Sequence, residues 1–217
     1  VLQKEFEKGA VPGAHLHSEL IAPHPRIDGG VEFPCVACPP ELEYQKLQRL
    51  TALFERQLGC RPKWYRAGRF GADLETMHIL KALGYRYDSS ITPHLDWSSY
   101  GGPNHCHAPE QPYWISPTDY CVGVSSEQSL GILEVPVTIS GKRLGWLGKY
   151  LPNHWACYNW LRPTHMTAFE QRRFIRQVLN RYQEVVLVMM FHSFEVMIGT
   201  SPYVRNRLMQ TLFLRRI

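Results

Sequence analysis

Apolar residues recur along this chain with two different periods, and the two alternate. Over residues 41–58, Leu42, Leu47, Leu50, Phe54 and Leu58 fall on one helical stripe, Glu41 and Glu43 complement the positive end of the dipole, and Gly59 and Pro62 stop the helix. A second helix is predicted over 72–83, with Leu74, Met77, Leu80 and Leu83 facing inward and Gly84 ending it. Thr167-Ala168-Phe169-Glu170 has capping-box spacing and opens a third helix to about 182, with Phe174, Val178 and Tyr182 on its stripe, flanked by Ile175 and Leu179. The terminal Arg215-Arg216-Ile217 looks like part of another helix.

Between these lie strand-like runs. Residues 11–20 read as a strand end, followed by a Pro/Gly-rich loop to residue 40 whose clearest turn is Asp28-Gly29-Gly30. Residues 64–66, 85–89 and 132–139 read as further strands, the last confined to an edge or a bulge by Pro136. Residues 185–191 are apolar at every position, as expected of a strand buried on both faces of a parallel sheet. Residues 93–130 read as a long irregular insertion rich in Pro, Gly, Ser, His and aromatics, favoured as functional because of those aromatics. A further loop holds Trp146, Trp155 and Trp160. Alternating strand and helix imply an α/β fold whose site loops follow the strand C-termini, where His17, Arg66, Asp88 and His192 lie.

Composition adds bounds. The 217 residues suit one domain, 1–217, with 44% hydrophobic and 20% charged residues, and no apolar stretch approaches the ~18 residues of a membrane-spanning helix. A net charge of +5, from 24 basic and 19 acidic residues, is too diffuse to argue for nucleic acid; the small cluster Arg205, Arg207, Arg215 and Arg216 favours an anionic substrate surface slightly. The six cysteines are Cys35, Cys38, Cys60, Cys106, Cys121 and Cys157. Cys35-Val36-Ala37-Cys38 has redox or zinc spacing, but it lacks a second such pair and runs into Pro39-Pro40, which favours a surface loop carrying two thiols.

The chemistry concentrates at His15-Leu16-His17. Residues two apart on an extended segment project from one face, so two imidazoles meet at one point. They suit a divalent metal with positions left open for water and substrate, or equally two histidines bonded to backbone at a strand end. The downstream string His192-Ser193-Phe194-Glu195 puts another histidine at a strand end.

Taken together, His15-Leu16-His17, Tyr65-Arg66-Ala67-Gly68-Arg69-Phe70-Gly71, Tyr87-Asp88-Ser89-Ser90, Leu133-Glu134-Val135-Pro136 and Phe191-His192-Ser193 resemble the polysaccharide deacetylases of the NodB-homology group, carbohydrate esterase family four, nearest to members in surface-polysaccharide biosynthesis. The resemblance implies a distorted parallel (β/α) barrel of about seven strands, and a metal-dependent hydrolase that removes N-acetyl groups from an amino-sugar polysaccharide or its precursor. It implies His15 and His17 as ligands of Zn2+ or another divalent metal, Arg66 as the residue that holds the base carboxylate, His192 as the general acid and Asp88 as the partner orienting that histidine. Glu134 serves the site or satisfies a loop, and Arg69 competes with Arg66. His24, His94, His105, His107, His154 and His165 are read as substrate-contact or surface residues, and His78, within a helix, as structural. Trp97, Tyr100, Tyr113, Trp114, Trp146 and Trp155 offer flat faces for sugar rings or serve as lids over a core.

Two departures from the family pattern stand out. Its metal histidines are commonly four residues apart, and that position here is Glu19, an alternative ligand to His17. Its aspartate pair precedes the histidines, and residues 1–14 contain no aspartate, so the sequence reads as truncated at the N-terminus, lacking the first strand and impaired as it stands. A non-catalytic carbohydrate-binding protein on the same fold, and an amidohydrolase acting on a small C–N compound, are the alternatives. The partner expected is an N-acetylated glycan or glycan precursor, with no nucleic acid. The expected localisation is cytoplasmic, reversed to extracytoplasmic if a signal peptide precedes Val1.

Overall fold

In the computed structural model, which describes residues 8–18, 38–142 and 158–217, helix α1 (Pro40–Leu58) starts on a proline at its first position, where a missing N–H costs nothing. Glu41 and Glu43 lie in its first turn, and Gly59 closes it in the left-handed region (φ 69°), its N–H donating to the Glu55 carbonyl at 2.8 Å. Helix α2 (Leu74–Ala82) opens on a capping box: the Thr76 N–H donates to Asp73 Oδ1 at 2.9 Å, and the Thr76 hydroxyl accepts from the Asp73 N–H. Leu47, Met77 and Leu80 are fully buried, each worth about 1.5–3 kcal/mol of apolar burial. They join Ala14, Leu16, Tyr65 and Ala67 in one core.

The strands of this region form one six-stranded sheet. β1 (Ala14–Leu16), β2 (Trp64–Ala67), β3 (Tyr87–Asp88) and β6 (Leu133–Glu134) run parallel in that order, and β4 (Tyr113–Ile115) and β5 (Gly123–Val124) continue it antiparallel. Register fixes which side chains share a level. Ala14, Tyr65, Asp88, Glu134 and Tyr113 stand on one row, and His15 and Arg66 on the next. Burial alternates to match: Ala14, Leu16, Tyr65 and Ala67 are buried, whereas His15 is exposed and Arg66 half-buried.

By its contacts the chain divides into two units, Val1–Pro136 and Val137–Ile217. The second holds β7 (Ile139–Lys142) paired antiparallel with β8 (Tyr158–Trp160), with an irregularity between Ser140 and Lys142. It also holds helix α3 (Ala168–Arg181), capped by Thr167 and Glu170 as the spacing predicts, and helix α4 (Arg207–Leu214). Leu161, Met166, Phe174 and Val178 make its core.

Several expectations are corrected. A closed (β/α) barrel is not shown: among the described residues the strands form a mainly parallel sheet with two edges and a separate two-stranded ribbon. Residues 185–191 are not a strand, and Val186, Leu187 and Phe191 are exposed. Single backbone bonds join this run to its neighbours, from the Thr138 N–H to the Val188 carbonyl and from the Met190 N–H to the Leu161 carbonyl, but the Val188 N–H goes to the Thr138 hydroxyl, so no regular ladder forms. The predicted strand 132–139 is broken after Glu134, and Pro136 lies in the gap. The insertion 93–130 is more ordered than expected, since it supplies β4 and β5. Glu19, His24, the turn at 28–30, Cys35, Trp146, His154, Trp155 and Cys157 lie outside the described residues.

Candidate active site

Strand β1 ends at Leu16, so His15 and His17 project from the same side at the C-terminal edge of the parallel strands. Their ring centroids are 4.8 Å apart, with the planes nearly perpendicular at 88°. His15 Nδ1 lies 2.7 Å from the Arg66 carbonyl. A carbonyl only accepts, so Nδ1 carries the proton, and in the neutral ring Nε2 keeps the lone pair a metal needs. Among the described residues no group of three His, Cys, Asp or Glu is arranged to hold an ion. The two imidazoles could supply two ligands to a metal, and the described residues bring no third beside them.

The string after β2 is shaped around His17. A Cβ added at Gly68 would sit 2.7 Å from the Leu16 carbonyl oxygen and 2.8 Å from His17 Nδ1, so only glycine lets the strand end approach the ring. The next two residues, Arg69 (φ 54°) and Phe70 (φ 61°), both adopt the left-handed conformation, each costing about 1–3 kcal/mol, and Phe70 stacks on Trp97 with centroids 6.0 Å apart. Arg66 and Arg69, the two candidates for holding a base, are thereby separated. Arg66 is half-buried, donating from Nε to the Ser89 carbonyl at 2.8 Å and from Nη2 to the Ser89 hydroxyl at 2.7 Å; Arg69 stands on the exposed turn. Burial lowers the Arg66 pKa, opposed by the charges of Asp88 and Glu134.

Asp88 and Glu134 are level with each other on adjacent strands, both wholly buried. Asp88 accepts from the Ser90 hydroxyl at 2.7 Å and the Ser90 N–H at 3.1 Å; Glu134 Oε1 accepts from the Ile91 N–H at 3.0 Å. Burial raises the pKa of both, and Glu134 is pushed up further by the charge of Asp88 beside it. Glu134, whose sequence context left its role open, is thus the neighbour of Asp88.

The second unit holds His192. Its Nδ1 lies 3.0 Å from Glu195 Oε1, and the same oxygen accepts from Arg162 Nη2 at 2.5 Å. Glu195 is 1% exposed. Burial works to raise its pKa, but the bonds from His192 and Arg162 outweigh that and hold the carboxyl below its usual range. The carboxylate bonded to His192 is therefore Glu195, three residues on, whereas Asp88 is engaged by Ser90. In the sequence the signal for Glu195 is its i, i+3 spacing from His192. Nothing in the sequence marked Arg162.

Of the other histidines, His105 departs from its reading as a substrate-contact or surface residue. It is wholly buried, Nδ1 accepts from the Thr92 N–H at 3.2 Å, and burial lowers its pKa to about 4. His94 pairs with Glu110 at 2.7 Å, and His78 lies on the exposed side of α2. Cys38, Cys60, Cys106 and Cys121 are free thiols.

No family model and no curated protein matches this chain. Among solved structures it is similar to one described as "putative polysaccharide deacetylase from Mycobacterium smegmatis", with a TM-score of 0.42 and 18% identity over 83% of this chain and 50% of that one. The chain thus spans about half the length of the structure it matches. Among the described residues no helix is long and apolar enough to cross a membrane.

Proposed function

We propose that this chain is the hydrolase region of a metal-dependent deacetylase that removes N-acetyl groups from an amino-sugar polysaccharide or its precursor. The observation that carries the reading is the meeting of His15 and His17 beside Gly68, with His15 tied through Nδ1 to the β2 carbonyl so that its other nitrogen suits a metal. Zinc is the favoured ion, held by His15 and His17 with further ligands from outside the described residues. When bound, it supplies a polarised amide carbonyl and an activated water.

The chain's own residues do the rest. Arg66 spends Nε and Nη2 on Ser89, which fixes the plane of the guanidinium and leaves Nη1 to hold the base carboxylate ionised. His192, its Nδ1–H held by Glu195, donates the proton that the poor amine leaving group requires. Asp88 supports the strand ends from the buried row.

The test uses the full-length natural protein, measuring bound zinc and deacetylation of a chito-oligosaccharide. His17→Ala should lower both, since it removes a ligand. His192→Ala should keep the metal and lose turnover by roughly 10²-fold or more, as removal of a general acid does. Loss of metal in His192→Ala, or full activity in either variant, would overturn the assignment.

A further inference from the structure

Row by row, the sheet puts two acids where only one charge has an answer. Asp88 and Glu134 are register partners on β3 and β6, both with 0% exposure, and Glu134 Oε2 is buried with no hydrogen-bond partner among the described residues. The groups facing the pair can be named from each packed element. From β2 comes the Tyr65 phenol on the same row, from β4 the Tyr113 phenol and from the 116–122 turn the Cys121 thiol, while the Arg66 charge reaches the pair from the next row. Burial keeps both phenols neutral by raising their pKa values, and pushes the thiol up to about 12. Arg66 is then the cation whose charge acts on both carboxyls. Two wholly buried carboxylates level with each other on adjacent strands cannot both stay ionised against a single guanidinium.

We propose that Asp88 and Glu134 form one proton-sharing unit, carrying a single negative charge between them, which positions the β2 end bearing Arg66 and Gly68. The connection to β2 is direct. Ser90 Oγ donates to Asp88 Oδ1 at 2.7 Å and accepts from the Ala67 N–H at 2.9 Å, between Arg66 and the glycine that abuts His17. Glu134 Oε1 takes the Ile91 N–H, so the unit ties the ends of β2, β3 and β6 together while its net charge balances Arg66. Two of the three carboxylate oxygens with resolved partners accept only from neutral donors of Ser90, the third from Ile91, which leaves Glu134 Oε2 as the place for the shared proton. The proton-sharing state stands independently of the deacetylase reading; its consequence for Arg66 and His17 rests on that reading.

The test is infrared difference spectroscopy on the folded chain at pH 7. Wild type minus Glu134→Gln should show one protonated-carboxyl band per chain, and wild type minus Asp88→Asn the same band, because in either amide variant the remaining acid takes the single charge opposite Arg66. The amide of Glu134→Gln can still accept from Ile91 and donate to Asp88, so that variant should fold. Absence of the band from both differences would overturn the proposal. For the positioning role, Ser90→Ala cuts the link from Asp88 to Ala67 and should shift the NMR signals of the His15 and His17 rings, whereas Glu134→Gln should leave them in place. Unmoved histidine signals in Ser90→Ala would overturn that part. A band that is present while zinc binding fails would retain the proton-sharing unit and reject only the metal reading.

Discussion

The two units keep their buried acids in opposite ways. In the first, sheet register forces Asp88 and Glu134 into one wholly buried row, and Glu43 of α1 is likewise pushed up, to about 7, by burial. In the second, Glu195 sits on a 3-10 turn and is held ionised by Arg162 and His192. A strand fixes side-chain position through the backbone, so an acid placed there stays whether or not a cation meets it, and a proton supplies the neutrality. A turn has no such ladder. Its acid holds position through its own ion pair, and the charge must survive.

The sharpest way to break the comparison is to remove the acid on the turn. Glu195→Ala leaves the Arg162 guanidinium, whose side chain is only 14% exposed, without its carboxylate, and should destabilise the second unit by about 3 kcal/mol, the lower end for breaking a buried pair. Hydrogen exchange of the α3 amides would measure it. The pH dependence carries a definite sign. Glu195 is depressed on folding, so its contribution is present above the unfolded carboxylate range and disappears as pH falls through the folded value. Unchanged exchange in α3 would mean that the turn is held by something other than the pair.

Within the first unit, position comes from backbone fit, and Gly68→Ala tests that. The added Cβ meets a backbone carbonyl at 2.7 Å, which cannot yield as a side-chain tip can, so a loss of about 1–3 kcal/mol is expected together with displacement of the His17 ring. Thermal unfolding reads the first and histidine NMR the second. An alanine variant with native stability and native His17 signals would show that the close approach is not needed.

How much of this was legible in the sequence follows the same division. The α1 and α2 stripes, the Thr167 capping box and the His15-x-His17 pair rest on local periodicity and spacing, and each appears where expected. Residues 185–191 depart from the expected strand because apolar composition does not report whether a segment's donors meet backbone carbonyls in regular order, and here the Val188 N–H meets a hydroxyl instead. β4 and β5 were hidden because strands of three and two residues among Pro, Gly and Ser carry too few alternations to register. The pairing of Asp88 with Glu134, 46 residues apart, is a matter of strand order and register, which no local pattern reports. Arg162 was invisible for the same reason: its meaning lies in Glu195.

Glu43 gives the opposite pH sign to Glu195. Its carboxyl accepts from the Thr76 hydroxyl at 3.0 Å, yet burial outweighs that bond and raises its pKa from 4.5 to about 7. A raised acid binds more protons folded than unfolded across that interval, so its contribution is full below about 4.5 and is lost as pH rises through about 7. Glu43→Gln should flatten the loss, recovering about 1–2 kcal/mol at pH 8 after allowance for partial solvent screening. Denaturant midpoints of both proteins at pH 5 and pH 8 decide it, and parallel curves would show that Glu43 titrates normally.

The smallest expected effect makes the comparison cleanest, because each unit has one helix opened by the same device. Asp73 caps α2 with a 2.9 Å bond to the Thr76 N–H, and Thr167 caps α3 with a 3.3 Å bond to the Glu170 N–H while Glu170 returns a 2.7 Å bond to the Thr167 N–H. Replacing either cap by alanine should cost about 1 kcal/mol. The cost should be distributed differently. The α2 N-terminus is also tied through Thr76, whose hydroxyl meets Glu43 of α1, so Asp73→Ala leaves that donor anchored and should raise exchange only in the first turn of α2. The first turn of α3 is more exposed, with Thr167 and Phe169 at the surface, so Thr167→Ala should fray the helix further, toward Phe174. Equal fraying in the two helices would mean that helix-to-helix side-chain bonds add nothing to the cap, and that the first unit's advantage lies in its sheet alone.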